Sequence, residues 1–283
     1  MNKENLLSAM MKIVYNNKNI VCLLETGERV NTTISKDSLM GFKLILGVKD
    51  LNEIALLESM KEIIESSFIL QKEDGLSMMN NYFGDVLRYI AVIDDLTIVD
   101  FTFFKYDDVQ SYIDVDSLCK IHIDKNNGLV GNVKITDVKY RQLKPTQKEF
   151  LKCCNEFFIY ALKIARGLYR SEIIYSMNLF TKLKARLDKM TLYYIGCQYD
   201  FSVNIGAYDK NMKTYLEKSH YEKLLETYPS PDKDKLWTAL FNACMLFRKE
   251  GLHVSEKLEY LYPKEADREI VKYLREVWNM YAQ

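Results

Sequence analysis

Apolar residues Leu6, Leu7, Met10, Ile13 and Val14 recur at helical spacing, so residues 3 to 15 are expected to form a helix with one buried face. The pattern then shortens. Ile20 to Leu24 is a β-branched and aliphatic run ending in the polar turn Glu25-Thr26-Gly27-Glu28-Arg29, and Phe42 to Val48 is a second run of strand length. Helical spacing returns over residues 53 to 66. Runs at 67–71, 87–93 and 96–103 read as strands, the last two joined by Asp94-Asp95 at hairpin spacing. A helix at 106–113, a strand at 119–123 and the turn 124–128 complete this half.

After Pro145 every segment carries apolar residues at i, i+3, i+4 and i+7: 146–166, 169–195, 208–226, 233–250, 254–262 and 266–281. Thr146 three residues before Glu149 reads as a capping box, and Pro229, Pro231 and Pro263 fall between helices. The expected fold class is α+β, an α/β domain over residues 1–140 followed by an all-α helical bundle over 141–283.

Charge and chemistry narrow the picture. Lys plus Arg number 39 and Asp plus Glu 39, so no global field recruits nucleic acid or a membrane, and neither is expected as a partner. Six cysteines in apolar surroundings, without C-x-x-C spacing, read as reduced core thiols, and no apolar run approaches a membrane span; the expected location is cytoplasmic. There is no P-loop, dinucleotide-binding or zincin motif. His122, His220 and His253 read as ordinary polar positions, Tyr193, Tyr194, Tyr260 and Tyr262 as helix packing, and Lys182, Lys184, Arg186 and Lys189 as a solvated helix face.

The string Lys144-Pro145-Thr146-Gln147-Lys148-Glu149-Phe150-Leu151-Lys152-Cys153-Cys154-Asn155-Glu156-Phe157-Phe158 resembles a signature of the aminoglycoside 6-adenylyltransferases, the streptomycin-modifying enzymes. Gly167 to Ile173, Leu236-Trp237, Leu246-Phe247-Arg248, Val254-Ser255-Glu256 and Tyr262-Pro263 are similar to the same family. In the first half the agreement is thinner: Leu24-Glu25, Arg29, Asn31, Lys36-Asp37 and Val99-Asp100-Phe101-Thr102. The resemblance implies a polymerase-β-like nucleotidyltransferase domain packed on a helical domain. It also implies transfer of AMP from ATP to a streptomycin hydroxyl, with Mg2+ holding the triphosphate.

Against that pattern several positions depart. The family's Gly-Ser phosphate turn reads Gly27-Glu28, ahead of Arg29, and its Asp-x-Asp metal motif reads Gly41-Phe42-Lys43. Lysine has no acceptor with which to ligate a cation. Asp100 remains as the third carboxylate, a remnant or base, and Lys43 is expected to reach it, an internal cation standing in for the metal. A Gly-Lys phosphate contact reads Gly206-Ala207, with Lys210 nearby; an acidic pair reads Leu151-Lys152, and an Asp reads Asn178. Glu149, Asn155, Glu156 and Asn178 are expected to line a cleft between the domains that takes a small-molecule ligand.

No metal and no cofactor are therefore expected, transfer is expected to be lost or strongly reduced, and any remaining action is expected to be the binding of a ligand or a protein. The alternative is an active enzyme that transfers AMP from ATP to an aminoglycoside or other hydroxyl substrate and binds Mg2+ and ATP through displaced carboxylates such as Glu25, Glu28, Asp37 and Asp100, at least two of which must then lie within about 4 Å of one metal position. Oligomeric state is not legible.

Overall fold

A computed structural model describes residues 3–73, 84–131 and 134–282. The chain divides into two compact units, Met1–Lys139 and Tyr140–Gln283.

Among the described residues the first unit is built on six strands: β1 (Ile20–Thr26), β2 (Phe42–Val48), β3 (Ser67–Lys72), β4 (Val86–Ile93), β5 (Ile98–Lys105) and β6 (Cys119–Asp124), in the order β3-β4-β5-β2-β1-β6. Only β2 and β5 run parallel; the other pairs are antiparallel. Because strand side chains alternate, the sheet has two different faces. Leu23, Leu44, Leu46, Phe101 and Phe103 share one core with Leu6, Met10 and Val14 of α1 (Lys3–Asn16), Leu56 of α2 (Glu53–Ser59) and Ile63 of α3 (Lys61–Glu65). Cys22, Leu24, Ile45 and Phe104 form the other with Val109 and Ile113 of α4 (Tyr106–Val115).

Two details differ from the sequence expectation. The helix expected over 53–66 breaks at Met60, which leaves helical geometry between α2 and α3. The hairpin tip is longer than Asp94-Asp95: Leu96 adopts φ +60°, and β5 begins at Ile98.

The second unit is helical throughout: α5 (Gln147–Tyr169), α6 (Ile173–Gln198), the short α7 (Met212–Tyr215), α8 (Lys218–Leu225), α9 (Lys233–Leu258) and α10 (Lys264–Ala282). Thr146 caps α5 in a full capping box with Glu149. The segment expected as one helix over 208–226 is broken, since Tyr208 and Asp209 both adopt positive φ and Leu216 is extended. Conversely, the expected helices 233–250 and 254–262 are one. Gly251 does not interrupt α9, because the ring of Tyr262 lies where a Cβ would stand, 2.6 Å away, so the glycine serves close packing. A left-handed Glu259 ends the helix. Phe157 of α5 and Phe247 of α9 stack at 3.8 Å in the centre of this core.

The six cysteines are unbridged, and burial pushes the Cys153 thiol up to about 12.

Candidate functional site

In the sheet, the parallel register of β2 and β5 sets Lys43 opposite Asp100 on one face. The cation that holds Asp100 is nevertheless Arg88 of β4. Its Nε donates to Oδ1 at 2.9 Å and its terminal nitrogen to Oδ2 at 2.5 Å, a two-pronged fork, and Thr102 Oγ1 adds a long contact of 3.5 Å. This bonding raises the Arg88 pKa above its ordinary value, against the opposing effect of burial. The expected Lys43–Asp100 pair is therefore corrected: no ion pair joins them, and Lys43 is exposed with its stem against Gly27. A rigid planar guanidinium matches two carboxylate oxygens at once, whereas an ammonium on a flexible stem gains little at a wet surface. Arg88 was legible only as a charge inside an otherwise apolar strand run.

Gly41 stands immediately before β2 with no room beside it. A Cβ there would lie 2.4 Å from the backbone carbonyl oxygen of Ile98, so no side chain fits unless the backbone moves.

The turn after β1 is a single 3-10 turn, Gly27–Arg29, with Gly27 at φ +79°. The Gly27 N–H is committed to the Leu118 carbonyl at 3.1 Å. Lys36 Nζ donates to the carbonyls of Glu28 and Arg29, each at 2.7 Å, and of Asn31 at 2.5 Å. Arg29 donates to Glu25 Oε1 at 2.8 Å and lies 3.9 Å over the Phe42 ring. His122 Nε2 meets the other Glu25 oxygen at 3.0 Å. Burial pushes the Glu25 carboxyl up, but hydrogen bonds and charge from His122 and Arg29 together hold it below its ordinary value. His122 thus serves a buried carboxylate.

Glu25 and Asp100 do not converge. Glu25 pairs in register with Leu44, Asp100 with Lys43, and adjacent strand positions face opposite ways, so Glu25 and Asp100 lie on opposite faces of the sheet. Asp37 is exposed and accepts from the Leu39 N–H at 2.7 Å; Glu28 is exposed. Among the described residues no three His, Cys, Asp or Glu side chains are grouped to hold a metal ion.

In the helical unit, Glu149, Asp188, Lys189, Tyr193 and Asp209 line a hollow of about 560 Å3. Bonds from Thr146 lower the Glu149 carboxyl. Asp209 is raised, by burial and then by the charge of Asp188. The Oε1 of Gln142, on the same wall, is buried without a hydrogen-bond partner. Lys184 is not on a solvated face. It is 7% exposed, donates to Thr227 at 3.0 Å, pairs with Asp188 at 2.9 Å and sits 4.1 Å from the Tyr228 ring centre.

Of the residues expected to line a cleft, only Glu149 borders this hollow. Glu156 pairs with Arg186 at 3.2 Å, while Asn155 and Asn178 are exposed on α5 and α6. Gly206 adopts φ +78°, and its N–H is taken by Asn204 Oδ1 at 2.9 Å, with the Lys210 stem packed against it.

Comparison with known proteins gives a consistent result. The family model described as streptomycin adenylyltransferase matches residues 1–277. The aminoglycoside 6-adenylyltransferase of Bacillus subtilis (strain 168) is 27% identical over 98% of this chain and 98% of its own, and that of Campylobacter jejuni is 28% identical over 92% and 91%. A crystal structure of an aminoglycoside 6-adenyltransferase from Bacillus subtilis aligns over 98% of this chain and 99% of that one, at 24% identity and a TM-score of 0.49.

Proposed function

The chain belongs to the streptomycin adenylyltransferase family, and from that premise we propose that it keeps the family's architecture while nucleotidyl transfer is lost or strongly reduced, leaving ligand binding as its task. The observation that carries the reading is the fork of Arg88 on Asp100. A carboxylate bound on both oxygens by a guanidinium offers a metal ion little, and one carboxylate is not a two-metal site.

Mg2+ and ATP are what such a transfer needs, and the residues present do not fit them. Gly41 has no space for a ligating side chain, and Lys43 places a cation beside Asp100 in the register. The N–H groups of Gly27 and Gly206 are already committed to Leu118 and Asn204. Transfer of a phosphoryl-type group rests on metal charge and phosphate positioning acting together, and the residues at these positions suit neither.

Ligand binding is assigned to the hollow of the helical unit. Glu149, Asp188 and Asp209 on its walls suit a ligand carrying an ammonium or guanidinium group, and the unpartnered Gln142 Oε1 offers a further acceptor.

Calorimetric titration with magnesium-ATP, followed by transfer of radiolabelled AMP onto streptomycin, tests the loss of activity. The expected result is no magnesium-dependent heat at micromolar nucleotide and no labelled product. Micromolar magnesium-dependent binding, or labelled streptomycin, sinks it.

A further inference from the structure

The helical unit carries a second recess that shares no lining residue with the acidic hollow. It is a groove of about 500 Å3 between α9 and α10, walled by Trp237, Phe241 and Met245 on one side and Val271, Arg275 and Trp278 on the other. This size falls in the range of small-molecule sites, roughly 300–1,000 Å3.

The walls are aromatic and ordered against each other. Trp237 and Phe241 stack at 5.9 Å, and Trp278 meets Phe241 edge-on at 6.2 Å and 87°. Trp237 is buried, and its indole N–H has no acceptor. Trp278 is 41% exposed and Met245 63%, so apolar surface is left open to water along the groove.

The charges around it are unevenly satisfied. Arg248 is held by Asp267 in a fork of 2.6 and 2.8 Å, and Asp234 accepts from the Tyr281 hydroxyl at 2.7 Å. Arg275 is exposed, and no ion pair engages it among the described residues. A ligand seated here meets flat rings and an exposed guanidinium that no ion pair engages among the described residues. A planar aromatic body answers the first, and an anionic oxygen answers the second.

We propose that the α9–α10 groove binds a planar, fused-ring or aromatic small molecule bearing one anionic group, with its rings against the partly exposed Trp278 and the anion toward Arg275. The site uses none of the residues of the sheet or of the acidic hollow, so it stands whether or not nucleotidyl transfer survives.

The molecule carries its own reporter, because its only two tryptophans both line this groove. Titration of intrinsic tryptophan fluorescence with 2-naphthoate, and in parallel with the neutral 2-naphthalenemethanol, reads the site directly. The expected result is saturable quenching by naphthoate, weakened about three- to tenfold by Arg275→Gln, with little change for the alcohol. Met245→Glu, at an exposed position, should weaken both probes and leaves both reporters in place. Absence of saturation up to millimolar naphthoate overturns the proposal, and so does equal binding of both probes that ignores Arg275→Gln. Light scattering on the same samples covers the remaining occupant: a dimer that Met245→Glu dissociates would make the groove a contact between copies and also overturn it.

Discussion

In the sheet of the first unit, charged side chains meet as ion pairs around carboxylates of interior strands: Arg88 forks onto Asp100, and Arg29 and His122 share the buried Glu25. The helical unit sinks a carboxylate deeper still, with no Arg or Lys ion pair on it among the described residues. Glu250 of α9 is 0% exposed and is held by Thr191 Oγ1 at 2.9 and 3.0 Å and by His220 Nε2 at 2.7 Å. Tyr194 stacks on that histidine at 4.6 Å. One arrangement ties down acids at positions where the family resemblance puts chemistry; the other joins three helices through one carboxylate. The difference teaches that polar groups in this protein serve closure in one unit and packing specificity in the other.

Removing the central group of the buried cluster gives the largest expected effect. Glu250→Ala strands the His220 ring in the core, leaves the Thr191 hydroxyl only the Leu187 carbonyl, and should lower stability by about 3 kcal/mol, read as a shift in urea midpoint. A loss below about 1 kcal/mol would mean that the cluster is solvated and the contrast between units false.

Gly41→Asp asks whether the sheet can regain a carboxylate. Its Cβ would press on the Ile98 carbonyl, and the expected loss is about 2 kcal/mol by thermal melting. Unchanged stability would show a backbone free to accept a metal ligand.

Acid should separate the two units. Glu25 lies below its ordinary value when folded, so the unfolded chain binds its proton first; the stability it adds is present above about pH 4.5 and lost as pH falls through the folded value. Glu250 is raised, chiefly by burial, so its folded form takes the proton first; its contribution is full below about pH 4.5 and declines as pH rises through the folded value. Amide exchange at pH 7 and pH 4 should therefore show β1 losing protection on acidification relative to α9. Equal losses in both elements would remove the distinction.

The smallest effect sharpens the comparison within the sheet. Arg88→Met should destabilise by about 1 kcal/mol and Lys43→Met by less than about 0.5 kcal/mol. The reverse order in matched melts would return Asp100 to Lys43.

Much of the fold was legible because its signals are local. The period of apolar residues marked the helical half, and the Thr146–Glu149 box forms as its spacing foretold. Segment breaks were harder. Gly251 reads as an interruption in the string, yet its helix continues, since the reason for that glycine is the ring of Tyr262 brought in after the chain turns back. The candidate site was legible as a set of altered positions, whose partners were not.

The order of side-chain types along the chain by itself determined which stretches bury a face, where helices start, and that lysine and glycine stand at a motif expected to be acidic. Tertiary structure alone decided that Arg88, not Lys43, holds Asp100, that Glu25 faces away from it, and that Glu250 meets residues 30 and 59 positions distant. Periodicity is a property of neighbours a few residues apart, whereas a charge chooses its partner by distance and direction through space, which strand register and helix packing set.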